Sequence, residues 1–271
     1  MRKKLVSVIM SEYNTDMKLL EESIKSILNQ TYDNLELILI DDSGNGNLKN
    51  IERKFNNDYR IKIFYNKKNM GLVYSLNKAI KLSNGYYIAR MDTDDYAYED
   101  RLKKEVDFLE KNPEYDVVGG NADFYDGKNI WKVTNNEGEV TREDLLKFNP
   151  FIHPTVVFTR RSINEVGGYL DFKRCEDYAT WIEFFVRGYK MYNIKDVILR
   201  YHSSILDNEK NKLKYRKGLL RMIDEEYTKL YPSKFQLFKF KAKKIVAGLI
   251  PNRIMQKYHN NVDKNKVKRI K

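Results

Sequence analysis

The hydrophobic pattern of the first 91 residues alternates between two periods. Short apolar runs rich in β-branched side chains are typical of buried strands, and segments whose apolar residues recur every three or four positions are typical of helices. Predicted strands cover residues 5–10, 35–40, 61–65 and 86–91, and predicted helices cover 16–29, 48–55 and 71–82. Strands that alternate with such helices predict an open, mostly parallel α/β sheet that is covered on both faces.

The pattern is less regular after residue 100. It predicts helices over residues 101–110, 175–187 and 207–231, and strands over 117–119, 195–201 and within 151–160. Residues 120–140 are polar and rich in Gly and Asn, which predicts a hairpin or a loop.

Polar side chains follow the predicted parallel strands. Open α/β folds bind ligands at the carboxyl ends of their strands, so we expect the loops after residues 10, 40, 65 and 91 to carry the chemistry. The candidate binding residues in these loops are Ser11, Tyr13, Asp41, Asp42, Asn69, Asp92, Thr93, Asp94 and Asp95.

Three carboxylates are crowded into the segment 92–95. Carboxylates this close repel one another, and they stay ionised only with good solvation or a compensating cation. Their hard oxygen atoms suit Mg²⁺ or Mn²⁺, with substrate phosphates completing the coordination. If the strand continues, residues two apart face the same side, and Asp92 and Asp94 would point into one cleft. The alternative is a solvated acidic loop, and the spacing alone leaves both interpretations open.

Asp41 and Asp42 allow two interpretations as well. They form an Asx turn that caps the next helix, or they accept hydrogen bonds from a base or a ribose. Tyr13 is either a core residue or a stacking surface for a flat base. Two acidic strand ends beside one tyrosine, at one edge of a sheet, favour a nucleotide diphosphate with its metal.

The net charge of +12 is localised. Residues 232–271 contain 12 Lys and Arg residues and one acidic residue, so the rest of the chain has a net charge of only +1. A near-neutral body speaks against nucleic-acid binding. Residues 234–250 interleave five lysines with apolar side chains. This segment is suited to an anionic membrane surface, or it packs its apolar side on the domain and leaves the lysines in solvent.

Two features concern the cell compartment. The sequence contains no run of about 18 apolar residues and no apolar stretch of a signal peptide near residue 1. The single cysteine, Cys175, cannot form an internal disulfide, which agrees with a reducing compartment, and we expect it to be structural. We therefore expect a cytoplasmic protein, peripheral at the inner face of the cell membrane if the basic segment binds lipid.

Seven segments of the chain carry motifs: SVIMSEYN (7–14), ILNQTYDNLELILIDDSG (27–44), NMGLVYSLNKAI (69–80), GYYIARMDTDD (85–95), HPTVVF (153–158), VGGY (166–169) and CEDYATWIEF (175–184). In this order they resemble the motifs of bacterial family 2 glycosyltransferases. The resemblance implies a GT-A (Rossmann-like) catalytic domain over residues 1–205, with helices on both sides of a mixed, mostly parallel sheet. A helical, basic extension follows over residues 206–271.

The resemblance implies roles for the matching strand-end residues. Tyr13 stacks on the base, and Asp42 accepts a hydrogen bond from its edge. Asp92 and Asp94 form the D-x-D pair, in which one carboxylate contacts the ribose and the other holds Mn²⁺ or Mg²⁺ between the phosphates of a UDP-sugar. Asp95 competes for the metal. His202 lies where some relatives have a metal-binding or diphosphate-binding histidine, although a lone histidine is more often structural.

The resemblance also implies an inverting mechanism. Asp177 matches the general base that deprotonates the acceptor hydroxyl, and Glu176 supports it or binds the acceptor. The metal offsets the charge of the leaving nucleoside diphosphate. The alternative for Asp177 is a helix cap. The chain departs from the family at Ser-Glu before Tyr13, where Pro-Thr is usual, and at DDSG over 41–44, where DDGS is usual.

The predicted function is that of a metal-dependent glycosyltransferase in cell-surface polysaccharide synthesis. Its partners would be a nucleotide-sugar donor and a glycan or lipid-linked acceptor. The alternative is a catalytically inactive binding or scaffold protein that keeps the fold.

Overall fold

The computed structural model describes residues 3–203 and 216–249. The strands in this part of the chain are β1 (Val6–Glu12), β2 (Leu35–Asp41), β3 (Ile61–Tyr65), β4 (Tyr87–Arg90), β5 (Tyr96–Ala97), β6 (Tyr115–Tyr125), β7 (Ile130–Val133), β8 (Gly138–Glu139), β9 (Val157–Thr159) and β10 (Lys190–His202). The helices are α1 (Met17–Leu28), α2 (Asn47–Lys54), α3 (Leu72–Leu82), α4 (Arg101–Lys111), α5 (Arg142–Lys147), α6 (Arg160–Glu165), α7 (Glu176–Val186), α8 (Arg216–Glu225) and α9 (Lys234–Leu249).

The strands form one mixed sheet in the order β3-β2-β1-β4-β9-β6-β10-β5, with β7 beside β6 and β8 beside β10. The first four of these strands are parallel neighbours. β9 is antiparallel to both β4 and β6, and β6 and β10 are parallel to each other. The predicted α/β fold with a mostly parallel sheet is therefore confirmed, and β2, β1 and β4 lie side by side.

The first strands are buried on both faces, as their continuous apolar runs predict. In β1, Ile9 packs in one core together with Ile38 of β2. Val8 and Met10 enter the core on the opposite face, together with Leu37. A parallel sheet covered by helices on both sides requires this pattern, because neither face meets water.

Helix α1 both covers the sheet and supports the loop after β4. It begins after Asp16, whose carboxylate accepts hydrogen bonds from the N–H groups of the first helical turn. Leu20 and Ile24 lie one turn apart and are fully buried against the sheet. On the same helix, the Ser23 hydroxyl donates to the Asp92 carbonyl at 2.8 Å. The packing of this helix therefore fixes the start of the acidic segment.

The prediction of a hairpin or loop over residues 120–140 is confirmed as a hairpin, because β6 continues to Tyr125 and pairs antiparallel with β7. The strand predicted over residues 117–119 is too short. Small residues suggested a loop, but here they permit close packing. A Cβ atom at Gly119 would lie 2.5 Å from the Phe151 ring, and one at Gly120 would lie 2.7 Å from Ile198. The Asn121 amide is buried and donates to three carbonyl groups, so it satisfies backbone acceptors inside the sheet.

The described part of the C-terminal extension packs on the domain. Met222 of α8, Tyr227 and Phe240 of α9 belong to the same buried cluster as Trp181 of α7. Phe240 stacks on Tyr227 with ring centroids 4.3 Å apart. The predicted helix over residues 207–231 is confirmed for residues 216–225, and residues 207–215 lie outside the described part, as do residues 250–271.

None of the helices in residues 3–203 and 216–249 combines the length and the hydropathy that a bilayer-spanning segment requires.

Candidate active site

The carboxyl ends of β1, β2 and β4 bring three loops to one edge of the sheet. The Thr15 and Thr93 hydroxyl oxygens, from the loops after β1 and β4, are 2.7 Å apart. Glu12 is fully buried at the end of β1. Its carboxylate accepts hydrogen bonds from the Thr15 N–H and from the Ser43 hydroxyl after β2. Glu12 belongs to the Ser-Glu pair that stands where Pro-Thr is usual. Its buried carboxylate therefore links two of these loops by hydrogen bonds.

Asp41 and Asp42 are both buried, and each carboxylate organises a loop. Asp41 accepts from the N–H groups of Ser43 and Gly44, so the predicted Asx turn is present. Asp42 accepts from the Asn66 amide and from the N–H groups of Met70 and Gly71, all within 2.8 Å. A carboxylate has about four acceptor positions, so Asp42 keeps room for one more donor.

The remaining strand-end residues surround this edge. Tyr13 follows β1 and is 57% exposed, so it is not a core residue. Ser11 is half-buried at the end of β1, and Asn69 is exposed in the loop that Asp42 holds. The structure therefore leaves an aromatic ring and an amide in solvent beside two buried carboxylates.

Asp92, Asp94 and Asp95 come together in a turn. Strand β4 ends at Arg90, so the expectation that Asp92 and Asp94 face one side of a continuing strand is wrong. The turn nevertheless brings one carboxylate oxygen of each residue within 4.8 Å of the others. A turn gathers three carboxylates where a strand would have gathered two.

The electrostatics of this cluster reflect mutual repulsion and burial. Burial raises the pKa of Asp95 well above its usual range, and the charges of Asp92 and Asp94 raise it further. Burial and Asp92 also raise the pKa of Asp94. The Asp95 Oδ1 atom accepts a hydrogen bond from the backbone N–H of His202 at 2.8 Å. The Asp95 Oδ2 atom is buried without a partner among the described residues.

These residues fit a divalent cation. The mutual repulsion and the orphaned Asp95 oxygen are both relieved by a metal ion, and carboxylate oxygens are the ligands that Mg²⁺ and Mn²⁺ prefer. His202 is within reach, because its Nδ1 atom lies 3.9 Å from Asp94 Oδ2. The Asp94 side chain is 44% exposed and faces the solvent from which an ion and its ligands would arrive.

Glu176 and Asp177 form a second carboxylate set at the start of α7. The cap of this helix is Cys175, so Asp177 is not the cap. The Asp177 Oδ2 atom accepts from the Asn149 amide at 2.6 Å, and Oδ1 accepts from the Tyr178 N–H at 2.7 Å. Burial raises the pKa of Asp177, while these two bonds lower it. Burial and the Asp177 charge raise the pKa of Glu176 to about 7.

Asn149 was not recognisable from the sequence as a site residue. It follows α5 and lies 28 positions before Asp177, in a loop with no motif of its own. His153, a few residues further on, is half-buried. Its Nε2 atom lies 2.9 Å from the Tyr169 hydroxyl, and burial together with Arg90 lowers its pKa well below the usual range.

Known proteins resemble this chain in sequence and in fold. Residues 7–167 match the family described as Glycosyl transferase family 2. The chain belongs to this family. Among family 2 relatives, putative glycosyltransferase EpsE of Bacillus subtilis is 33% identical over 264 residues, which cover 94% of this chain and 92% of EpsE. The putative teichuronic acid biosynthesis glycosyltransferase TuaG of the same organism is 27% identical, over 76% of this chain and 83% of TuaG.

Solved structures share the GT-A fold of family 2. A fragment of S. aureus TarS in complex with UDP aligns with a TM-score of 0.61 and 23% identity, over 83% of this chain and 68% of that one. The mannosyltransferase PcManGT from Pyrobaculum calidifontis, in complex with GDP-Man and Mn²⁺, aligns with a TM-score of 0.64 and 18% identity, over 96% of this chain and 74% of that one. The expected GT-A fold and glycosyltransferase class are therefore confirmed.

Replacing Asn149 with alanine tests how Asp177 is supported. A base must be deprotonated, and a hydrogen bond to the carboxylate stabilises that form. Loss of this bond should move the acid limb of the rate-pH profile of donor turnover upward by about one pH unit, with activity recovering at higher pH. Asn164→Ala, at an exposed site on α6, is the control. An unmoved acid limb in folded Asn149→Ala would contradict this role.

Proposed function

We propose that this family 2 glycosyltransferase moves a hexosyl or N-acetylhexosaminyl group from a nucleotide sugar, most simply a UDP-sugar, to a hydroxyl group of a glycan or lipid-linked acceptor, with inversion. The observation that carries the proposal is the separation of the acids into two sets. Asp92, Asp94 and Asp95 share one turn. Glu176 and Asp177 begin a different helix and have their own hydrogen-bond support.

The donor assignment rests on the sheet edge. Tyr13 would stack on the base, and Asp42 would accept from its edge through the position that its loop contacts leave open. Ser11, Asp41, Asn69, Asp92 and Thr93 would line the rest of the nucleotide-sugar site. Solved structures with this fold are complexes with UDP, with UDP-GlcNAc and with GDP-Man plus Mn²⁺, which supports a nucleotide-sugar donor.

The acids would divide the chemistry between them. Asp94 and Asp95, with Asp92 and His202, would hold Mn²⁺ or Mg²⁺, which would neutralise charge on the leaving diphosphate. Asp177 would take the proton of the acceptor hydroxyl as its oxygen forms a bond to the anomeric carbon. The bond from that carbon to the phosphate oxygen breaks on the opposite face, and the nucleoside diphosphate leaves. Glu176 would position the acceptor. The presence of both acid sets argues against an inactive scaffold.

Donor turnover tests the proposal directly. A panel of nucleotide sugars is assayed for hydrolysis with Mn²⁺ and with EDTA, on the wild-type chain and on Asp94→Ala and Asp177→Asn. We expect the best donor to need the metal, and both variants to lose about 10²-fold or more in rate. Asp107→Ala, a partly exposed acid on α4 that pairs with Lys103, is the matched control. Full turnover in both site variants would reject the assignment.

We also propose that residues 206–271 attach the catalytic domain, residues 1–205, to an anionic membrane surface. Helix α9 presents two faces. Phe240 is buried on the domain, whereas Phe235 and Phe238 are 72% and 70% exposed beside Lys234 and Lys239. Exposed aromatic rings flanked by lysines suit the interface of an anionic bilayer.

The same helix is close to the proposed base. The Phe240 ring packs against Tyr178, the neighbour of Asp177, with centroids 6.2 Å apart. A helix lying on the membrane would therefore hold the acceptor side of the site near the lipid. This arrangement supports a lipid-linked acceptor. EpsE is named a putative glycosyltransferase and TuaG a putative teichuronic acid biosynthesis glycosyltransferase, which agrees with polysaccharide synthesis.

Vesicle co-sedimentation of the full chain tests the attachment. We expect binding to phosphatidylcholine vesicles only when phosphatidylglycerol is included. The double substitution Phe235→Ser and Phe238→Ser should weaken vesicle binding by about tenfold or more, because it removes two rings that would be buried in the apolar part of the membrane interface. Tyr59→Ser, a ring that is 90% exposed elsewhere on the domain, is the control. Equal recovery of the double variant and the wild type in the lipid pellet would contradict the proposal.

A further inference from the structure

Arg90 closes strand β4 and lies inside the domain. Its side chain is only 3% exposed. Its backbone is held on both sides: the N–H donates to the Val156 carbonyl at 2.9 Å, and the carbonyl accepts from the Arg101 guanidinium at 2.8 Å. Residue spacing assigns this arginine no role, yet two hydrogen bonds hold its backbone beside the acidic turn.

The Arg90 guanidinium makes incomplete use of its donors. Its Nη2 atom donates to Asp92 Oδ1. Nε and Nη1 are buried and have no hydrogen-bond partner among the described residues. A buried guanidinium stays charged and is costly to leave unsatisfied, and an apolar side chain of similar size would suit the interior better. Packing alone therefore does not explain an arginine here.

The Arg90 charge acts on both carboxylate sets. It lowers the pKa of Asp94 and Asp95 on one side, and the pKa of Glu176 and Asp177 on the other, against the burial that raises all four. Arg101 is also fully buried, but its Nε atom pairs with Glu105 at 3.1 Å. Arg90 is therefore a buried cation that contacts the acidic turn through Asp92 and has donors left over.

We propose that Arg90 is a positioning residue of the candidate site: its buried guanidinium aims Asp92 within the acidic turn and so sets the geometry in which that turn binds a divalent cation. The proposal rests on the proposed function.

The groups around Asp177 define what a pH profile reports. Glu176 and Tyr178 are its neighbours on α7, and Tyr169 faces it from the preceding turn. Arg90 supplies positive charge from β4, and Asn149 supplies a neutral donor. The other titratable groups in this set are acids or phenols, so removal of Arg90 leaves Asp177 without this cation.

The experiment compares Arg90→Met and Arg90→Lys in the full chain. Donor turnover is measured against pH with Mn²⁺, and Mn²⁺ affinity is measured by calorimetry with UDP present. In Arg90→Met, Mn²⁺ should bind about tenfold or more weakly, because Asp92 loses the group that aims it, and the acid limb should rise by up to about one pH unit, because a positive charge that acts on Asp177 is lost. Arg90→Lys should keep the limb but bind Mn²⁺ about fivefold or more weakly, because one ammonium group does not replace the planar fork on Asp92.

Arg160→Met is the matched control, since Arg160 is another arginine with a buried, unpartnered Nη2 atom but lies outside the site. It should leave the acid limb and the Mn²⁺ affinity unchanged. Mn²⁺ affinity in folded Arg90→Met that equals or exceeds that of the wild type would overturn the proposal. If that variant does not fold, Arg90→Lys decides, and wild-type Mn²⁺ affinity in it would overturn the proposal. Absence of turnover in the wild type would contradict the proposed function instead, and the Mn²⁺ titration would still test Arg90.

Discussion

Repulsion between carboxylates in a confined space is the constraint around which this site is arranged. Asp92, Asp94 and Asp95 share one turn, and burial makes the charges of Asp94 and Asp95 harder to maintain. A protein tolerates such crowding when a cation compensates it, because water does not reach the buried Asp95 freely. One internal cation, Arg90, contacts the turn through Asp92. A divalent ion with a diphosphate would supply the rest of the compensation.

The fold delivers this arrangement through strand order. β2, β1 and β4 are adjacent, so their carboxyl ends place the Asp42 loop, Tyr13 and the acidic turn along one edge. β10 reaches the same turn from the other half of the sheet, where the backbone N–H of His202 donates a hydrogen bond to Asp95. Asp177 comes from helix α7 and is held by Asn149. The proposed base therefore lies on a different element from the acidic turn.

The sequence could predict what depends on local periodicity, and less of what depends on distant contacts. Strands and helices up to residue 91 follow from apolar spacing, because each element is buried in a regular way. The extension of β6 past Gly119 was missed, since small residues that suggest a loop here admit the Phe151 ring. The clustering of Asp92 and Asp94 was expected from strand geometry but arises from a turn. The contact of Asn149 joins two segments that are 28 residues apart, and the burial of Arg90 depends on tertiary packing, so no spacing rule reveals either.

The central claim is that the acidic turn is completed by a divalent cation bound together with a nucleoside diphosphate. Its most direct test is a titration of Mn²⁺ into the full chain, followed by the loss of the free-ion electron paramagnetic resonance signal, with and without UDP. The account predicts one ion per chain, bound more tightly with UDP, and strong loss of binding in Asp94→Asn and Asp95→Asn, which keep the side-chain shape. Equal Mn²⁺ binding in wild type and both variants, or no effect of UDP, would contradict it.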